Sequence, residues 1–236
     1  MQIAQGYPFV KVIQEKKQHQ AFAQKTGFNL AKGDILGRID ADTILPKNWV
    51  KEVKRAFLNR PSIQAITGGP DPYDVSMKSL AVSVFMFYHK LASRIAGTQM
   101  IWGANAAIRR SIWIKIRHQV LQRADIWEDY DLSLLLGRLP AGRQGKRSVR
   151  FVNGIDTGSS FRTIHKPFLK QVEWQFRVVR TFYYQTSIFK TVILFGCWST
   201  MIVFYPLAYL DGRIFRPLSA IKERRREILE SPAVVD

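Results

Sequence analysis

Apolar positions along the chain change period several times, and each change marks an element. Phe9-Val10-Lys11-Val12-Ile13 reads as a short strand, residues 15–32 as a polar helix stopped by Gly33, and residues 35–39 as a second strand. Pro46 then opens a helix in which Trp49, Val50, Val53, Phe57 and Leu58 share a face, and residues 63–67 read as a third strand. This alternation of strands and helices predicts an α/β fold with a parallel sheet. In such sheets ligands gather at the carboxyl ends of the strands.

Residues 75–101 are apolar but interrupted by Lys78, His89, Lys90 and Arg94, which predicts a helix lying against the core or in a membrane interface rather than a full span. The small-residue stretch from Trp102 to Arg110 permits close approach of a ligand or of backbone, or is an ordinary turn with a solvated basic pair. Residues 125–136 place Glu128, Asp129 and Asp131 at the start of an apolar helix. There they complement the helix dipole or, in a cleft, supply a general base. A glycine-rich basic loop over 137–150 and a short strand ahead of Ser159-Ser160-Phe161-Arg162 follow.

Between Pro167 and Gln185 aromatic and basic residues interleave, as in a helix at a membrane surface, a pattern shared with single-strand nucleic-acid binders. Thr191 to Leu210 is uncharged throughout. As a helix it would be about 30 Å long, enough to cross a hydrocarbon core, with a buried core helix as the other reading. Basic residues flank it on both sides (Arg177, Arg180 and Lys190, then Arg213 and Arg216), so orientation, and the choice between span, hairpin and re-entrant segment, stays open.

The most specific chemistry lies at the end of the 35–39 strand. Residues i and i+2 of a strand point to one side, so Asp40 and Asp42 can face one divalent ion, and Mg²⁺ or Mn²⁺ prefers such hard oxygens. Bulk charge agrees with an anionic partner: 36 Lys and Arg against 18 Asp and Glu give +18. Cys197 is the single cysteine, and the four histidines have no ligand spacing, so neither a disulfide nor a zinc site is expected. No charged-then-apolar leader opens the sequence, so no secretory signal is expected.

In order, "KTGFNLAKGD", "ILGRIDADTILP", "WGANAAIRRSIW", "WEDYDLSLLL" and "TGSSFR" resemble the motifs of the family 2 inverting glycosyltransferases over about residues 9–165. The resemblance implies a GT-A-like, partly Rossmann-like α/β fold with a mixed sheet, followed by membrane-associated helices. It implies Asp42 as ligand to Mg²⁺ or Mn²⁺ bridging a donor diphosphate, with Asp40 on the ion or the nucleotide sugar. Asp129 would be the general base and Glu128 would orient the acceptor. Gly103, Asn105, Asp131, Arg109 and Arg162 are further substrate-binding candidates, and Arg110 a weaker phosphate contact.

The chain departs from the family pattern in two places. The usual opening strand-helix-strand unit with its Pro-x-x-Asn-Glu stretch is not seen, because residues 9–13 already match a later strand, and Lys25 stands where an Asn is usual. The expected division is therefore an N-terminally truncated catalytic domain at 1–165, an interfacial amphipathic helix at 166–190, a transmembrane or re-entrant segment at 191–210 and a basic tail at 211–236. Trp174-Gln175-Phe176-Arg177 does not complete the motif of processive members, so processivity is not expected. The expected activity is transfer of a sugar from a nucleotide-diphosphate sugar to a lipid-linked or cell-envelope glycan acceptor, with inversion, at the cell membrane's cytoplasmic face. The alternative is a catalytically impaired, basic module bound to anionic lipid. Nucleic acid is not an expected partner.

Overall fold

The computed structural model describes residues 2–75, 77–140, 148–162 and 166–200. After a first turn of helix, α1 (Gln2–Gln5), the chain runs through α2 (Gln20–Leu30), β1 (Ile35–Arg38), α3 (Trp49–Asn59), β2 (Ala65–Thr67), β3 (Pro70–Pro72) and α4 (Lys78–Ala96). It continues through β4 (Ala106–Arg109), α5 (Arg110–Ile116), α6 (Glu128–Arg138), β5 (Val149–Phe151), β6 (Thr157–Ser159), α7 (Phe168–Gln185) and α8 (Ile188–Ser199).

The sheet is mixed rather than parallel, as the order β1-β4-β2-β5 shows. β4 runs antiparallel to both neighbours, while β2 and β5 are parallel. β4 is the element that the small-residue stretch concealed. Its Ala106, Ala107 and Ile108 are all buried, because a central strand covered on both faces has little room for bulk. Alternation divides the strands between two cores. Leu36, Ala65, Ala106 and Ile108 pack with Phe28 of α2, Trp113 of α5 and Leu132, Leu135 and Leu136 of α6. Ile66 and Ala107 face Trp49, Val53 and Phe57 of α3. The predicted amphipathic helix is thus found as α3, with Trp49, Val53 and Phe57 inward as expected but Val50 and Leu58 exposed, since they lie outside the stripe that meets the sheet.

Residues 9–13 do not form the predicted strand. They join no ladder, the Val10 N–H turns back to the Tyr7 carbonyl at 3.0 Å, and Phe9, Val10 and Ile13 lie in solvent, so this segment has neither a partner strand nor apolar cover to hold it. β1 sits at one edge of the sheet, paired with β4.

A third core joins α4, α6, α7 and α8 through Tyr88, Ala92, Tyr130, Leu134, Phe182, Leu194 and Trp198. Because α6 serves two cores, every residue from Glu128 to Leu136 is buried. α4 lies against this core with Tyr88 and Ala92 inward and Leu80 and Phe87 outward. His89, buried beside Met100, is pushed down to about 4 by desolvation and is neutral. α8 covers the first part of the predicted 191–210 span, but Thr191, Leu194 and Trp198 are buried against protein. Among the described residues no helix is long and apolar enough to cross a membrane. Residues 201–210, the basic tail 211–236 and residues 141–147 of the basic loop lie outside the described residues.

Candidate active site

The acidic turn follows β1 and is pinned from three sides. Thr43 donates its backbone N–H to the Asp40 carbonyl at 3.0 Å and accepts the Asp40 N–H on Oγ1 at 3.2 Å. Ile44 exchanges backbone hydrogen bonds of 2.8 Å with Gly158 of β6. Tyr73 donates its hydroxyl to the Asp42 carbonyl at 2.9 Å. The Asp42 carboxylate is paired with Arg162 at 3.0 Å. Asp74 fixes the arginine's segment by accepting from Ser160 Oγ at 2.6 Å and from the Phe161 N–H at 2.7 Å.

The second carboxylate pair comes from α6. Trp127 is the N-cap and no side chain caps the helix, so Glu128 and Asp129 are not acting as caps. Both are buried, and both meet Arg38, the last residue of β1. Arg38 Nη2 donates to Glu128 Oε1 at 2.8 Å, and Nη1 pairs with Asp129 Oδ1. The same guanidinium lies 3.6 Å from Asp40 Oδ1. Asp129 Oδ2 accepts the Gly103 N–H at 2.8 Å. A Cβ on Gly103 would run into the ends of the Arg38 and Asp129 side chains, so a larger residue there would have to displace the pair. Burial raises the Asp40 carboxyl above its ordinary value, Arg38 opposes that, and Asp42 and Glu128 add to it.

The remaining predicted residues fall elsewhere. Asn105 is fully buried, accepting from Trp49 Nε1 at 2.9 Å and donating to the Ile155 carbonyl at 2.6 Å. It knits α3 to the 155 loop behind the site. Asp131 accepts the Leu121 N–H at 2.9 Å and pairs with Gln185 of α7, and burial pushes its carboxyl up to about 6. Arg109 pairs in register with Ile35, at the end of β1 away from Asp40. There it donates to the Ile63 and Phe57 carbonyls at 2.7 and 2.9 Å, the latter near the open end of α3. Arg110 follows it at the start of α5.

Asp40, Asp42, Glu128, Asp129, Gly103 and Arg162 are therefore brought together, and Arg38, Tyr73 and Asp74 join them without having been singled out in the sequence. Arg38 left a signal. An arginine inside a four-residue strand, two positions before Asp40 and on the same side, needs a counter-charge once buried.

Four carboxylates face two guanidiniums across this site, leaving it attractive to a cation. No group of three or more His, Cys, Asp or Glu among the described residues is arranged to hold a metal. Two carboxylates are nonetheless enough for Mg²⁺ or Mn²⁺ when phosphate oxygens and water complete the shell. The residues fit an ion shared with a diphosphate rather than one held by protein alone.

Residues 1–117 match the family model described as Glycosyl transferase family 2. The chain resembles the family 2 glycosyltransferases. The mixed α/β sheet is consistent with their GT-A-like fold, and the family implies a nucleotide-sugar donor and an acceptor. The matched stretch holds Arg38, Asp40, Asp42 and Gly103, whereas Glu128, Asp129 and Arg162 lie beyond it. A search among curated proteins gave no match. Geometry ties the matched and unmatched parts of this site together, through Arg38 and Gly103 on one side and Arg162 on the other.

Proposed function

We propose that the chain moves a sugar from a nucleotide-diphosphate sugar to a lipid-linked or cell-envelope glycan acceptor, with inversion at the anomeric carbon. The observation that carries this reading is the meeting of Asp129 with the Asp40–Asp42 turn across Arg38. On this reading Asp129 would serve as the base and Asp40 and Asp42 as hard oxygen ligands, the two components a direct displacement needs. Asp42 and Asp40 would hold Mg²⁺ or Mn²⁺, which when bound offsets charge on the departing diphosphate. Asp129 takes the proton of the acceptor hydroxyl as that oxygen bonds to the anomeric carbon and the bond to the diphosphate breaks. Glu128 orients the acceptor, and Arg162 offers its guanidinium to phosphate oxygens.

The acceptor class is supported by the C-terminal helices. Leu169, Phe176, Tyr183, Phe189 and Val192 are exposed on α7 and α8 with Arg177, Arg180 and Lys190 on the same helices. That combination suits docking on the anionic cytoplasmic face of a cell membrane. Calorimetry with UDP- and GDP-sugars, with and without Mn²⁺, tests the proposal. Metal-dependent binding that Asp42→Ala abolishes is expected. Salt-sensitive liposome binding with no nucleotide-sugar binding would instead establish a membrane scaffold.

A further inference from the structure

Asp129 is closed off as it stands. One oxygen meets Arg38, the other accepts the Gly103 N–H at 2.8 Å, and the residue is only 6% exposed, so the Arg38 guanidinium occupies the side from which a hydroxyl would come and its charge lowers the basicity of the carboxylate. Arg38 is the partner able to move. Its guanidinium serves Glu128 at 2.8 Å and Asp129, and Nη2 also lies 3.6 Å from Asp40 on the turn proposed to receive the donor diphosphate. Three carboxylates share this one cation, whereas the Gly103 N–H belongs to fixed backbone. A guanidinium presents a planar fork of five N–H donors that matches phosphate as well as carboxylate, so a diphosphate at the turn competes directly for it.

We propose that Arg38 is a donor-sensing latch that covers Asp129 in the arrangement seen here and turns to the donor diphosphate, uncovering the base only after the donor is seated. This rests on the glycosyl-transfer reading above. It makes Arg38 a diphosphate ligand and a positioning residue for Asp129, and it imposes an order in which the donor precedes a productive acceptor. The absence of a Cβ at Gly103 gives the Arg38–Asp129 pair its room.

The test is calorimetric binding of UDP and GDP in Mn²⁺ to the full chain, its Arg38→Met and Asp129→Asn variants, and the double variant, with folding followed by near-ultraviolet dichroism. Arg38→Met is expected to weaken binding by roughly tenfold or more, since a charge-assisted fork is lost. Asp129→Asn is expected to tighten it several-fold, because the competitor for Arg38 has gone. That tightening should vanish in the double variant. Equal tightening with and without Arg38 would show a general charge effect and overturn the latch, as would unchanged affinity in Arg38→Met. If Arg38→Met does not fold, Arg38→Lys, which keeps the charge but not the fork, should show intermediate weakening, and wild-type affinity there overturns the proposal. Absence of nucleotide binding by the wild-type chain overturns the glycosyl-transfer reading and the latch together, whereas loss of the Arg38 effect alone leaves that reading standing.

Discussion

The two carboxylate pairs of the site are made of the same chemistry and are built in opposite ways. The side chains of Asp40 and Asp42 are 38% and 31% exposed on a turn, and Asp42 pairs with an arginine that is itself 64% exposed. The side chains of Glu128 and Asp129 are 6% and 8% exposed on a helix that serves two cores, and their arginine is held inside with them. Exposure lets the first pair exchange an arginine for an ion at little cost. Burial makes the second pair depend on whatever charge stays beside it, since an unpaired buried carboxylate is costly. One pair is open to a change of partner, and the other keeps its carboxylates fixed in the fold.

The strongest way to break this comparison is Asp129→Asn, which keeps the shape but removes the base. Turnover of nucleotide sugar with an acceptor extract should fall by about 10²- to 10⁴-fold. A decrease of less than about threefold would mean that the buried pair is structural alone.

The next test moves behind the pair, to the residue that fixes the wall of the site. Asn105→Ala strips the Trp49 Nε1–H and the Ile155 carbonyl of their partners. Unfolding in urea should show a loss of about 2 to 5 kcal/mol, the cost of buried groups left unpaired. A loss under about 1 kcal/mol would show that water or a neighbour replaces the amide.

A third test uses Asp131, which shares the helix of the buried pair but not its partner. Burial raises its carboxyl to about 6, against the opposing effects of the Leu121 N–H, Gln185 and Arg138 and with a small addition from Glu128. The folded state therefore holds this proton more tightly than the unfolded chain, where an aspartate titrates near about 3.9. The associated stability is complete below the unfolded value and is lost as pH rises through about 6. The stability of wild type minus Asp131→Asn should accordingly fall between about pH 4 and pH 6, by up to about 3 kcal/mol, and then level off. A difference that stays flat over that range would place the Asp131 carboxyl near its ordinary value.

How much of this was legible in the sequence follows from the same contrast. The acidic turn was legible because an apolar strand runs into two carboxylates, although β1 stops at Arg38 and the turn beyond it, not strand alternation, sets where Asp40 and Asp42 point. The helical face of α3 was legible for a similar reason, since its period is local. Arg38 was not recognised, because its meaning lies in Glu128 and Asp129, about ninety residues later, which only the tertiary fold brings near. Asn105 read as a ligand contact because small residues around an amide look like an open approach. In the fold they lead into a central strand, and the amide just before it is consumed by Trp49 and Ile155. The uncharged run after Thr191 read as a span by length; over its described part, residues 191–200, α8 buries Thr191, Leu194 and Trp198 on protein and exposes Val192, Ile193 and Phe195, a distinction that hydropathy without partners cannot make.

The smallest effect belongs to the exposed pair and sharpens the comparison from the other side. Arg162 meets Asp42 at 3.0 Å but stands largely in water, so the two charges are already screened and well hydrated. A double-mutant cycle with Asp42→Asn and Arg162→Ala should give a stability coupling of about 0 to 1 kcal/mol, shrinking further in added salt. A coupling of about 3 kcal/mol would make this a structural ion pair like the one at Arg38, and the turn would no longer be free to exchange its arginine for a metal. With weak coupling, Arg162→Ala should leave the fold intact and relieve Asp42 of a competitor. Mn²⁺ would then bind the turn at least as well as in the wild-type chain. The same substitution would separate the two roles assigned to this arginine, because a phosphate contact would appear as weaker nucleotide-sugar affinity while affinity for the free ion is maintained.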